Sequence, residues 1–159
     1  MTKKIGVLIV EDSKVVRQLL EHIIGGDPRF EILAMVSSAE EALAILPRLS
    51  PDVISLDIRL PGMNGLDATR QIMRERPTPI VVCSASVESD ELGITMNALR
   101  AGALAVVEKP VGTSRADYDR IARTLCTQLA IMSDVKVVRQ RAFTDTAPSQ
   151  SARVPQRPG

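Results

Sequence analysis

Short, wholly aliphatic runs alternate along this chain with longer stretches in which apolar residues recur every three or four positions. Ile5 to Val10 is the first such run, too short for a stable helix and typical of a strand buried on both faces. It ends in acid, at Glu11 and Asp12. Beyond them Val15, Val16, Leu19, Leu20, Ile23 and Ile24 fall at helical spacing, and Gly25-Gly26 supplies a stop. Phe30 to Val36 reads as a second strand, and Ser38 to about Leu46 as an alanine-rich helix with Pro47 near its end. Val53 to Leu56 is a third strand running into Asp57. The stretch from Leu60 to Gly65 is punctuated like a loop, and Leu66 to Arg74 forms a short helix closed by Pro77 and Pro79. Ile80 to Cys83 is the fourth apolar run. A helix follows from about Asp90 to Ala101, with Leu92, Met96 and Leu99 on one side and Gly102 at its end. Ala105 to Val107 gives a fifth strand, broken by Lys109-Pro110. The last helix, Arg115 to about Met132, sets Ile121, Ala122, Leu125, Leu129 and Met132 on one stripe.

Five apolar strands alternating with helices predict an α/β domain, an open parallel sheet with right-handed crossovers and helices on both faces. Such sheets bind ligands beyond the carboxyl ends of their strands, at the point where strand order reverses. Chemistry-bearing residues fall at those ends. Glu11 and Asp12 follow the first run, Asp57 the third, Ser84 the fourth and Lys109 the fifth.

Composition narrows the function classes. With 159 residues the chain suits one ordinary domain plus a tail, and a net charge of +1 gives no basic footprint for nucleic acid. Aromatics make up 2% of the residues, so stacking platforms for single strands are missing. No apolar stretch approaches the roughly 18 residues of a membrane span, and the first residues run into charge instead of a cleavage site, so a cytoplasmic protein is expected. Cys83 and Cys126 lie in apolar patterns without paired spacing and read as buried thiols. The single histidine, His22, falls on the polar side of the first helix with Lys14, Arg17 and Gln18, which suits a solvated surface role.

Carboxylates brought together repel one another unless a cation neutralises them. Oxygen ligands without a histidine or cysteine cluster favour Mg2+, which keeps several waters and bridges one or two carboxylates to a phosphate. A carboxylate can itself accept a phosphoryl group, and a Lys ammonium and a Ser hydroxyl on neighbouring strand ends are suitable donors to it. Taken singly, the same residues have a plainer reading: Asp12 or Ser13 caps the first helix and Asp57 begins a loop.

Four blocks, VLIVEDS, VISLDIRLPGMNGLD, VVCSA and VVEKP, occur in order over residues 5 to 110. Together they resemble the signature blocks of response-regulator receiver domains. The resemblance implies a flavodoxin-like, doubly wound sheet of strand order 2-1-3-4-5. It also implies that Glu11 and Asp12 hold Mg2+ with Asp57 and the backbone carbonyl of Arg59, and that a sensor histidine kinase phosphorylates Asp57. Ser84 would then sense the phosphoryl group and Lys109 bind it, with a cis peptide usual between this lysine and Pro110. Where the family often carries an aromatic switch, this chain has Val106.

RERPTPIVVCSA, MNALRAGALAVVEKPVG and DVKVVRQR are similar to the regulatory half of chemotaxis-type protein-glutamate methylesterases. The implied parent has a C-terminal esterase output domain, for which this chain carries no G-x-S-x-G nucleophile block. Other readings stay open: a stand-alone receiver acting as an interaction module or phosphate sink, a small flavodoxin-like binding protein, and a haloacid-dehalogenase-type enzyme. The last wants a second aspartate where Arg59 stands. The expected division is a receiver over 1–133 and a linker or disordered tail over 134–159, since TDTAPSQSARVPQRPG, with three prolines, has little apolar surface to bury. Val135, Val137 and Val138 are expected to pack on the domain, and Lys136, Arg139 and Arg141 to form a solvated basic face.

Overall fold

A computed structural model of the chain describes residues 3–85, 92–110 and 114–137. Strands and helices alternate throughout, as β1 (Ile5–Val10), α1 (Lys14–Gly25), β2 (Phe30–Val36), α2 (Ala39–Leu49) and β3 (Val53–Asp57). They continue as α3 (Gly65–Glu75), β4 (Ile80–Ser84), α4 (Leu92–Ala101), β5 (Ala105–Glu108) and α5 (Arg115–Met132). All strand pairs are parallel, in the order β2-β1-β3-β4-β5. The order reverses at β1, which has β2 on one side and β3 on the other, so the carboxyl ends of β1 and β3 flank the crevice where such sheets bind ligands. This is the predicted flavodoxin-like topology.

The side-chain period of two divides each strand between two cores. Leu8, Val10, Ile54, Leu56, Ile80 and Val82 pack with α2, α3 and α4 through Ala39, Ala42, Leu46, Ala68, Ile72 and Ala98. Val7, Ile9, Val53, Val81 and Val107 face the other way, onto Val16, Leu20 and Ile24 of α1 and Leu125 and Leu129 of α5. β1, β3 and β4 are buried along nearly their whole length, whereas β2 and β5, at the sheet edges, are half covered. A continuous apolar run therefore does not by itself separate a central strand from an edge strand.

Hydroxyl and amide caps fix the helix starts, with Ser13, Ser38, Asn64 and Ser114 each accepting from the backbone N–H three residues on. Pro47 lies inside α2 without ending it; it forfeits its own helical N–H bond, and the helix runs only two residues further, to Leu49. Two stripe assignments are corrected. Val15 is 66% exposed, since Val16, about 100° further round the helix, takes the inward position. Leu99 is 43% exposed, and α4 approaches the sheet instead through Ala98 and Ala101, whose small side chains permit close contact. The side chains of Leu92 and Met96 lie outside the description.

The peptide bond between Lys109 and Pro110 is trans, against the expected cis form; no described peptide bond is cis. Trans remains the preferred isomer before proline by about 0.5–1 kcal/mol. Both cysteines are free and buried and His22 is exposed. Val137 packs against the α2–α4 core, while Val135 is partly exposed. The linker expected over 134–159 lies outside the described residues from 138 onward, as do Val138, Arg139, Arg141 and the expected α4 residues Asp90 and Glu91.

Candidate functional site

Backbone pairing carries the chemistry-bearing residues to one edge. Glu11 N–H donates to Val36 O (3.0 Å), Ile58 N–H to Cys83 O (3.0 Å) and Lys109 N–H to Ser84 O (2.8 Å). The ladders thus run one residue past the strands, and the residues that follow β1, β3 and β5 inherit the rigidity of the sheet. Lys109 Nζ lies 3.0 Å from Asp57 Oδ1 and 3.2 Å from Glu11 Oε1. Ser84, the last residue of β4, is buried and pairs across the sheet with Glu108, next to Lys109.

Glu11, Asp12 and Asp57 each bring a carboxylate oxygen within 4.8 Å of the others. Asp12 is exposed and the other two are buried. Glu11 Oε2 accepts from Ser13 N–H (3.0 Å), and Asp57 Oδ1 from Arg59 N–H (3.0 Å). Asp57 Oδ2 is buried with no hydrogen-bond partner. Glu11 Oε1 is also without a hydrogen bond; Lys109 is near enough for an ion pair, but not in hydrogen-bonding geometry.

Burial pushes the Glu11 carboxyl up to about 7; the Asp57 charge adds to the rise, and Ser13 N–H and Lys109 oppose it. Lys109 moves the other way in charge terms. Burial alone would lower it, but its hydrogen bond to Asp57, with the charges of Asp57 and Glu11, outweighs that and raises its pKa.

Three carboxylates against one ammonium leave a formal charge of minus two when all are ionised. Glu11 Oε1, a buried carboxylate oxygen lacking a hydrogen bond, with the carboxylates of Asp12 and Asp57 close by and only oxygen ligands present, fits a hard divalent cation of the Mg2+ kind. The sequence-predicted residues Glu11, Asp12, Asp57 and Lys109 thus converge. Arg59 meets the cluster through its amide, and Val106 is half-buried against the α2–α4 core.

Three supporting residues were not singled out from the sequence. Gly65 opens α3 hard against the end of β3: its N–H donates to Ile58 O (3.0 Å), and a Cβ there would lie 2.7 Å from Ile58 Cα and collide with the Asp57 carbonyl oxygen. Glu40 of α2 accepts from Met63 N–H (3.2 Å) in the loop between β3 and α3. Arg17 of α1 donates through Nη1 to the carbonyls of Glu11 (2.8 Å) and Asp12 (3.1 Å). Only Gly65 left a sequence signal, a glycine at the close of a loop.

A cleft of about 1130 Å³ between α1 and α5 involves none of these residues; His22, Asp27, Arg29, Tyr118 and Cys126 line it. Its size does not make it the site, because it lacks convergent buried charge.

Residues 7–137 match the family model described as the response regulator receiver domain. Among curated proteins, the chain is 64% identical over 163 residues to protein-glutamate methylesterase/protein-glutamine glutaminase 2 of Paramagnetospirillum magneticum, covering 100% of this chain and 46% of that protein. It is 52% identical to protein-glutamate methylesterase/protein-glutamine glutaminase 1 of Syntrophus aciditrophicus, covering 86% of this chain and 39% of that one. The chain therefore spans less than half the length of these relatives. Among solved structures it is similar to the response regulator domain of Thermotoga maritima CheB, with a TM-score of 0.75 and 32% identity, covering 84% of this chain and 99% of that domain.

Proposed function

The chain belongs to the response regulator receiver domain family and is of the CheB type, and we propose that Asp57 is its phosphoacceptor. The observation that carries this reading is Asp57 Oδ2, a buried oxygen with no hydrogen-bond partner in a carboxylate whose other oxygen is held by Lys109 and Arg59 N–H. The donor is the phosphohistidine of a sensor kinase. Oδ2 attacks phosphorus, the O–P bond forms as the N–P bond breaks, and the electron pair leaves on the imidazole nitrogen, which then takes a proton.

Glu11, Asp12 and Asp57 would hold Mg2+, and the backbone carbonyl of Arg59 would be a further ligand. When bound, the ion supplies charge neutralisation between the carboxylates and the incoming phosphoryl oxygens. Lys109 holds Oδ1 before transfer and pairs with a phosphoryl oxygen after it, and the Ser84 hydroxyl donates to another. The chain's own domain runs to about residue 133, with a linker beyond. In the parent protein it governs a C-terminal methylesterase-type output domain, a reading supported by the length and names of its relatives. Among the described residues no helix is long and apolar enough to cross a membrane, and we place the protein in the cytoplasm, where its kinase donor and reduced thiols would be found.

Incubation with acetyl phosphate and Mg2+ tests the assignment. The wild-type chain takes up one acid-stable, hydroxylamine-sensitive phosphoryl group, excess chelator prevents it, and Asp57→Ala takes up none. Stoichiometric labelling of Asp57→Ala overturns the assignment.

A further inference from the structure

The acidic turn has to present two carboxylates to Asp57, and its carbonyls are held from outside the sheet. Glu11 N–H closes the ladder on Val36, but the carbonyls of Glu11 and Asp12 both turn to α1, where Arg17 Nη1 receives them at 2.8 and 3.1 Å. Arg17 is fixed in turn by its own helix, its N–H donating to Ser13 O at 2.9 Å. One side chain thus ties consecutive carbonyls to a rigid element, while the carboxylates of the same two residues lie within 4.8 Å of Asp57.

We infer that Arg17 is a positioning residue of the phosphoacceptor site, holding the Glu11–Asp12 turn in the conformation that binds the divalent cation. The inference rests on the receiver reading above and extends it to a residue that touches neither metal nor phosphoryl group.

Two effects of Arg17 oppose each other. As a clamp it pre-organises two ligands and strengthens metal binding. As a positive charge near the cluster it repels a cation and weakens binding. Substitutions separate them. Arg17→Met keeps the aliphatic stem but removes both charge and donors, whereas Arg17→Lys restores charge and donors on a shorter head.

If the clamp dominates, Arg17→Met raises the Mg2+ dissociation constant about tenfold, as loss of an outer-shell partner typically does. Arg17→Lys recovers a substantial part of that loss. With acetyl phosphate as donor, the Mg2+ concentration for half-maximal labelling rises in Arg17→Met, while the rate at saturating Mg2+ is largely kept. In the metal-free protein, the amide of Ser13, which donates to Glu11 Oε2, exchanges faster in Arg17→Met than in the wild type, with the strand amides unchanged; this readout also shows that the variant is folded. Unchanged or tighter Mg2+ binding by Arg17→Met, or unchanged exchange in the turn, refutes the inference. Failure of the wild-type chain to label at all would count instead against the receiver reading, and the binding and exchange measurements would still decide the clamp.

Discussion

Two aspartates bracket β3, five positions apart, and they live in opposite circumstances. Asp52 stands before the strand. Its Oδ2 accepts from Gly6 N–H at 2.7 Å while its own N–H donates to Gly6 O at 2.8 Å, so the side chain closes a ring that joins β3 to β1. Asp57 ends the strand, is more deeply buried, and has one oxygen held twice and the other not at all. Depth of burial is one difference between them; the other is that Asp57 buries an oxygen with no partner. The chemical distinction lies in whether the partners present saturate the carboxylate, because an unsatisfied buried acceptor carries a desolvation cost that a ligand can relieve.

The largest separation between the two comes from exchanging their fates. Asp57→Asn loses phosphoryl uptake completely. Its metal-free stability in urea stays level or rises, since one of three mutually repelling charges disappears while the amide oxygen still accepts from Lys109 and Arg59 N–H. Asp52→Ala does the reverse: it labels normally and loses about 2 kcal/mol of stability with its charge-assisted hydrogen bond. Labelling lost in Asp52→Ala, or stability lost in Asp57→Asn, would break the comparison.

Gly65→Ala probes how far the Asp57 end depends on backbone fit. The added Cβ must displace Ile58 or the start of α3, with an expected cost of about 1–3 kcal/mol and slower labelling at equal Mg2+. A fully stable, fully active variant would mean that the approach of α3 has slack.

The smallest effect is electrostatic and read from pH. Glu11 has a folded pKa of about 7 against its ordinary 4.5, so the folded metal-free state holds the proton more tightly than the unfolded one. Its contribution to stability is fully present below about 4.5 and is lost as pH rises through about 7. Glu11→Gln should flatten that part of the metal-free stability curve. Mg2+ binding should change in the opposite sense, strengthening as the carboxyl ionises.

The sequence allowed all five strands and the main α5 stripe to be read closely, because aliphatic runs and helical spacing are local signals. The converging Glu11, Asp12, Asp57 and Lys109 were legible for a related reason: each lies within two residues of the end of an apolar run, and the parallel topology dictates where run ends meet. Val15 and Leu99 were misplaced because a single apolar residue beside the inward stripe satisfies helical spacing without being buried. The roles of Arg17, Glu40 and Asp52 escaped notice because each depends on a backbone group brought near by the fold, and composition carries no mark of such a pairing.

In water a carboxylate is symmetric, its two oxygens interchangeable by rotation. At Asp57 the contacts of Oδ1 with the lysine ammonium and the Arg59 amide remove that equivalence and hinder the rotation that would restore it. On the proposed phosphoacceptor reading, the oxygen left to react is always Oδ2. A mixed anhydride formed there would sit repeatedly on the same oxygen, its bridging bond pointing the same way in every molecule. Regiochemistry, which a free aspartate lacks altogether, is thus written into this domain by two donors on the opposite oxygen.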